Sequence, residues 1–487
     1  MNGPVVVLGL DLGTSAVKAM LLDEAAAVRG QARQGYPTRH PASSLTEQDP
    51  AEWLVAARAA VLACLEAAGP VRIGAIGLSG HMSAPVLVDG EGTALAPCHT
   101  LTDTRAETDL PPALQAAIEA RTGNRCAAYF TLPKLLWWQS HHPSLLARAE
   151  RVLAPKDYLR AWLTGNLATD PTDAGNMLLL DPATRCWMPE LARDVGIDPA
   201  LLPPLSEPAT FAGRLRAECA AELGLPAGLP VATGAADMAA ALLGIGLGPH
   251  EIAVTIGTSA TVIAPVAAAE RALVGRLTFH PGAASGALYA LGSHFNGGAS
   301  LDWLRGVLGG DMPFQAAVEQ AHALPPGAEG VLFVPYLLGA GSPDFDPAAR
   351  GAFLRLAAPH GPAHLLRAVV EGVSADLCRS IDLLDPAGTQ GLVLGGGGMH
   401  LSLWPQLLAD LARRPVTLAA TSDASTFGAA LLAGVALGWF GGTPEAAARG
   451  VRGAASLLRP APSDPYATLR LQFQSAQQQA RAHFSSR

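Results

Sequence analysis

The chain has 487 residues, 49% of them apolar and 15% charged, with 33 Lys and Arg against 41 Asp and Glu for a formal charge of −8. That length exceeds one ordinary core, and the apolar fraction can fill two large ones, which excludes a disordered or supercharged chain. Lysine occurs only at Lys18, Lys134 and Lys156, and no basic block could track a phosphodiester backbone, so nucleic acid is not an expected partner.

Six scattered cysteines form no C-x-x-C pair, which argues against a zinc knuckle or a disulfide framework and suits a reducing cytoplasm. The start of the chain has no cationic n-region, and Asp11 interrupts its apolar run, so no signal peptide is expected.

In chain order, Val5 to Leu10 and Val17 to Leu22 read as two strands around a Gly13-centred reversal. Ala51 to Ala68 has a helical pattern, and Ile73 to Leu78 is an apolar strand ending in glycine. Pro230 to Ala232 is a further strand, running through a small-residue turn to Asp237 and into a helix. "EIAVTIGTSATVIAPV", Glu251 to Val266, then repeats the opening plan: Ile256-Gly257-Thr258-Ser259-Ala260 matches Leu12-Gly13-Thr14-Ser15-Ala16, 244 positions earlier. A single short match also fits the local reuse of Gly, Thr and Ser in turns. Each copy, however, sits between apolar β-branched flanks at the start of one half, as a duplicated α/β domain would. The expected domains are residues 1–246 and 247–487, joined through Leu229 to Gly248, where a hinge is expected. Downstream, Leu392 to Leu394 leads into four glycines and a helical run from Ser402. Ala424 to Gly442 is uncharged and nearly long enough to span a bilayer, but its glycines, Ser425 and Thr426 suit a closely packed buried helix, so no membrane is expected.

Backbone N–H groups in a Gly-Thr-Ser turn can point at anionic oxygens, so two facing hairpins could grip a polyphosphate. Asp11, at a strand end beside them, could hold Mg²⁺ through its waters, and Lys18 could add a point charge. The residues alone leave a second reading, in which Asp11 caps its own turn and Lys18 is solvated. Asp237 has two readings as well: a helix N-cap, or a general base taking a proton from an attacking hydroxyl. The glycine run could let adenosine approach closely, or could be a plain strand-to-helix turn. No G-x-x-x-x-G-K-[ST] occurs, no convincing G-x-G-x-x-G opens a helix, and H-E-x-x-H and G-x-S-x-G are absent.

These elements, in this order, resemble the FGGY family of carbohydrate kinases over nearly the whole chain, and among its members look nearest to those acting on xylulose. The likeness is carried by "DLGTSAVK" at Asp11, "TEQDPAEW" at Thr46, "LPKLLWW" at Leu132, "PKDYLR" at Pro155, "DPAARG" at Asp346 and "GGGMHLSLWPQLLAD" at Gly396. The resemblance implies two ribonuclease-H-like domains, of the actin, sugar kinase and Hsp70 superfamily, closing over an interdomain cleft. ATP-Mg²⁺ would bind mainly on the second domain and a sugar or polyol mainly on the first. It casts Asp237 as the base and Asp11 as the metal-side carboxylate. Gly13, Thr14, Ser15, Lys18, Gly257 and Thr258 would meet phosphate, and Gly298, Gly396, Gly397 and Gly398 would line the nucleotide side.

The departures fall on the sugar side. Where members acting on xylulose typically read Gln-Met-His this chain has His81-Met82-Ser83, for their Asp-Asn it has Asp237-Met238, for Trp-Asn-Asp it has Leu101-Thr102-Asp103, and for Gly-Glu-Arg-Thr-Pro it has Gly339-Ala340-Gly341-Ser342-Pro343. His81, Met82, Ser83, Asp103 and Met238 are therefore the expected substrate contacts. The expectation is phosphorylation of D-xylulose to D-xylulose 5-phosphate. The alternatives are another ketose or polyol (ribulose, erythritol, xylitol) or a sugar-responsive binding protein without turnover. A homodimer is the oligomeric state left open.

Overall fold

The computed structural model describes residues 3–42, 44–106, 110–309, 314–451 and 456–485. Two seven-stranded sheets carry the architecture. In the first, Val5–Leu12 (β1), Ala16–Leu22 (β2) and Val28–Gly35 (β3) form an antiparallel meander, and Arg72–Gly80 and then Pro230–Ala232 continue the sheet in parallel on the other side of β1. In the second, Glu251–Ile256, Ala260–Val266 and Leu288–His294 make the same meander, continued in parallel by Gly391–Gly395 and Val416–Leu418. Over these five strands the two sheets share one order, so the repeated Gly-Thr-Ser segments are equivalent turns of a two-domain α/β protein.

Strand alternation decides which residues face the space between the sheets. Val6, Leu8 and Leu10 of β1 point outward into a core with Trp53, Ala57 and Val61 of the helix Pro50–Ala68 and Leu159 and Leu163 of the helix Pro155–Thr164. Val7 points inward, and by the same period so do Gly9 and Asp11. Ile252, Val254 and Ile256 likewise face an outer core built on the long helix Pro362–Leu384, while Ala253 turns inward. Thr255 thus occupies in the second sheet the place of Asp11 in the first.

Two helices fill the space between the inner faces: Asp237–Gly244, and Ala424–Ala436 from the second half. Their crossing is set by missing side chains. A Cβ on Gly428 would overlap the backbone of Ala240, and one on Gly244 would overlap the backbone of Ala424. The other side of the Ala424–Ala436 helix lies on the first sheet, where Gly9 and Gly77 leave room for its backbone. The uncharged segment is therefore a packed interdomain helix, and among the described residues no helix is long and apolar enough to cross a membrane.

The elements read from the sequence appear at or near their expected places, with two adjustments. The glycine run closes in a 3₁₀ turn over Gly397–His400, so its helix starts at Trp404. Asp237 is the first residue of its helix, not the cap: Ala236 holds that position, and Asp237 accepts a 2.8 Å hydrogen bond from the N–H of Met238.

Because a Cβ at Gly428 meets backbone that cannot rotate away, Gly428→Val should cost about 1–3 kcal/mol by overpacking. Thermal unfolding of the purified variant should show a lowered Tm, whereas Gly438→Ala, at a position with open space but positive φ, tests backbone strain alone.

Candidate active site

A cleft of about 540 Å³ opens between the two halves. It is lined by Asp11, Gly13, Thr14, Ser15 and Lys18 from the first hairpin, by Thr255 and Gly257 from the second, by Gly396, by Asp237 and Met238, and by Ser422 to Ser425. The flanking strands are buried, while the turn residues Thr14, Ser15 and Gly257 are exposed at its mouth and Thr258 is exposed next to Gly257. Both turns are tightened by their own backbone, Gly13 N–H to Ala16 C=O at 3.1 Å and Gly257 N–H to Ser259 C=O at 2.8 Å. Tyr36 also donates its hydroxyl to the Gly13 carbonyl.

The second turn is braced from behind. The Gly298 N–H donates to Gly257 C=O at 2.7 Å, and the Gly297 and Ala299 N–H groups donate to Thr258 C=O. Gly396 has φ +76°, and a Cβ there would overlap the Ile256 backbone; Gly398 lies equally close to the Ile256 side chain. Gly397 has open space where a Cβ would stand. Gly257, Thr258, Gly298 and Gly396 to Gly398 are thereby gathered around one turn, although Thr258, Gly298, Gly397 and Gly398 do not line the cleft.

Asp11 is buried, and its two oxygens are held from both halves. Ser79 Oγ, at the end of the neighbouring strand, donates to Oδ1 at 2.7 Å, and Ser425 Oγ, from the second half, donates to Oδ2 at 2.6 Å. Each carboxylate oxygen retains acceptor capacity. Among the described residues, no group of three or more His, Cys, Asp or Glu is arranged to hold a metal ion. That donor set suits a hard cation that keeps its waters and is shared with ligand phosphates, the mode typical of Mg²⁺, better than a resident protein-only site.

Asp237 keeps part of its surface open to the cleft, yet burial of the carboxyl and the neighbouring Asp11 charge push it up to about 7. It stands on a rigid corner. Arg160 donates to Thr233 C=O at 2.9 Å, and Thr172 Oγ accepts from Ala236 N–H at 2.7 Å. Beneath the corner, Lys156 reaches Asp157, Asp170 and Asp173 at 2.6, 2.8 and 3.0 Å, and Arg160 reaches Asp157 at 2.8 Å, all of them buried. Burial, joined by the Asp157 and Asp170 charges, holds the Asp173 carboxyl well above its ordinary range.

The expected substrate contacts form a separate polar group beyond the end of Arg72–Gly80. The buried His81 ring packs edge-on against Trp53 with centroids 5.5 Å apart, and neither ring nitrogen has a partner. Burial, helped by the Lys134 charge, pushes His81 down to about 3. Ser83 sits at φ +62° and donates to Asn176 Oδ1 at 3.3 Å, while its carbonyl accepts from Lys134 Nζ at 2.6 Å. Asp103 is fully buried, its oxygens taken by Arg105 and by the Thr46 N–H. His81, Met82, Ser83 and Asp103 do not line the cleft described above; Met238 does.

Sequence reasoning passed over Tyr36, Ser79, Arg33 and Asp423, and read Ser425 only as a packing residue. Lys18, expected free for phosphate, pairs with Asp423 at 2.6 Å across the halves. Contacts spanning 405 and 414 positions leave no local signal.

The chain matches the models of the FGGY family of carbohydrate kinases, the N-terminal domain over residues 6–244 and the C-terminal domain over 252–437. It belongs to that family and is a carbohydrate kinase. A xylulose kinase of Lactococcus lactis is 32% identical over 445 residues, 89% of this chain and 88% of that protein. One from Bacillus subtilis is 32% identical over 462 residues, 92% of each. The crystal structure of a xylulose kinase from Brucella ovis superposes with a TM-score of 0.85 at 32% identity, covering 99% of both chains.

In the unfolded chain Asp237 ionises near 3.8 and in the fold near 7. Stability conferred by the neutral form is therefore complete below about pH 4 and is lost as pH rises through 7. Asp237→Asn, uncharged at every pH, should raise the Tm of the ligand-free protein at pH 8 and raise it less at pH 5. Calorimetry at the two pH values checks the sign.

Proposed function

We propose that this enzyme transfers the γ-phosphoryl group of ATP to a sugar hydroxyl, with D-xylulose giving D-xylulose 5-phosphate. The observation that carries this reading is a carboxyl held near 7 on a rigid corner, facing two Gly-Thr-Ser turns across one cleft. Such a group is half-ionised at neutral pH and can accept the proton of an attacking hydroxyl. We divide the chain at 246/247, with the acceptor mainly on the first domain and the nucleotide mainly on the second. A cytoplasmic location, where ATP is available, fits this assignment.

In this reading Thr14, Ser15 and Thr258 donate to phosphate oxygens, Gly13 and Gly257, whose N–H groups close their own turns, let phosphate approach the backbone, and Gly298 and Gly396 to Gly398 keep the nucleotide side free of side chains. Asp11, assisted by Ser79 and Ser425, would hold Mg²⁺ through its waters. The ion would neutralise charge on the phosphates. Asp237 orients the acceptor hydroxyl and takes its proton late, because a loose phosphoryl-transfer transition state needs little early deprotonation. Lys18 reaches phosphate only by leaving Asp423. Asp103 acts through Arg105, whose guanidinium it fixes.

The residues at 81 to 83 and 238 favour a second reading, a different ketose or polyol. Ser83 replaces an imidazole and is engaged with Asn176, while His81 presents two buried nitrogens without partners, and Met238 offers no amide. A buried donor left unpaired costs about 1–3 kcal/mol, enough to redirect preference between polyhydroxylated substrates.

ADP release with ATP and Mg²⁺ against xylulose, ribulose, erythritol and xylitol tests the proposal: one acceptor should raise turnover well above the background without sugar. Turnover that no acceptor stimulates would contradict a kinase of this class. Asp237→Asn retains an oxygen for the Met238 N–H, so the fold should survive while kcat falls about 10²–10⁴-fold, with a much smaller change in acceptor affinity. Closure about Gly244 to Gly248 should exclude water from the phosphoryl group, and small-angle scattering should show contraction on adding acceptor and a non-hydrolysable ATP analogue.

A further inference from the structure

Three charged residues stand in a row on the inner face of the first sheet. Asp11 is paired directly with Lys18 across β1 and β2, and Lys18 with Arg33 across β2 and β3. Directly opposed residues of antiparallel strands share a face at Cα separations of about 4.5–5.5 Å. Arg33 therefore starts roughly 10 Å from Asp11, and a long side chain spans much of that distance. All three line the cleft, together with Thr14 and Ser15.

The two cations differ in what holds them. Lys18 is paired with Asp423 at 2.6 Å, which neutralises its charge. Arg33 is exposed, and among the described residues no carboxylate lies within ion-pair distance of it. The one hydrogen bond described for its guanidinium is a long 3.4 Å contact from Nη2 to Ser15 Oγ, in the phosphate-facing turn itself. With Asp423 balanced by Lys18, Asp11 and the part-ionised Asp237 are the other charges of the cleft, and a nucleoside triphosphate would add more negative charge. The unpaired cation beside the turn is what such a polyanion meets first, and a planar guanidinium can hold two phosphoryl oxygens where an ammonium holds one.

We propose that Arg33 is a catalytic residue of the phosphoryl transfer, its guanidinium holding oxygens of the group in flight. The inference rests on the ATP-dependent reading above. In that step the acceptor oxygen bonds to the γ-phosphorus as the bond from that phosphorus to the β–γ bridging oxygen breaks. The electron pair leaves with ADP, and the hydroxyl proton passes to Asp237. In the loose transition state charge is spread over the three equatorial oxygens of the transferring group and builds on the departing bridging oxygen, so a fork fixed against that group as it moves lowers the barrier more than it strengthens ground-state binding.

The test compares wild type, Arg33→Gln and Arg33→Lys as purified full-length proteins, with ATP, Mg²⁺ and the acceptor giving the highest wild-type turnover. Arg33→Gln should lower kcat about 10²-fold, with the acceptor KM within about threefold and an unchanged Tm, since the side chain is exposed. Arg33→Lys should recover part of the loss, because it restores the charge without the fork. Turnover of Arg33→Gln within about twofold of wild type would overturn the inference, as would a loss that Arg33→Lys does not relieve at all. Either result leaves the kinase reading standing; only a wild type that releases no ADP with any acceptor removes that reading, and this inference with it.

Discussion

The crossing of Asp237–Gly244 with Ala424–Ala436 is the constraint on which the rest depends. Two helices from opposite halves approach until backbone meets backbone, which is possible only because Gly428 and Gly244 carry no side chain at the contact. Gly9 and Gly77 extend the same economy to the first sheet, so the helix from the second half lies directly on strands of the first. A larger residue at any of these points would push apart the elements whose ends bear Asp11, Asp237, Asp423 and Ser425.

That close approach sets the electrostatics. It brings Ser425 to Asp11 and Asp423 to Lys18, so charges that would be solvated on separate domains are shared across the cleft floor. Asp11 is satisfied by hydroxyls from both halves. Asp237 has only its neighbour's N–H and a second carboxylate nearby, and it rises to about 7. Two carboxyls in one cleft thus meet different surroundings, hydroxyls from both halves at Asp11 and burial beside a second carboxylate at Asp237, which separates a group suited to a hydrated cation from one suited to a proton. The corner bearing Asp237 resists displacement because the buried Lys156 and Arg160 cluster ties it to two neighbouring segments.

Much of this was legible in the sequence because it depends on local periodicity and turn chemistry. The strands Val5–Leu12 and Glu251–Ile256 are apolar because they are buried on both faces, and the Gly-Thr-Ser turns between them and their partners repeat at one spacing. Asp237 stood out as a carboxylate at a strand-to-helix corner. Its place as first helical residue instead of cap was not visible, since Asp suits both positions and the difference lies in the dihedral angles of Ala236.

The sequence by itself determined two similar α/β halves, the turns that face each other and the family to which the chain belongs, because each follows from short-range pattern. Tertiary structure alone decided that Ser425 reaches Asp11, that Asp423 rather than solvent neutralises Lys18, that Arg33 stands unpaired beside Ser15, and that the His81 nitrogens are buried without partners. Each of these depends on which distant segments meet, and on how much water their meeting removes. Neither leaves a trace in local periodicity, for a serine on a packed helix looks the same in sequence whether or not a carboxylate lies opposite it.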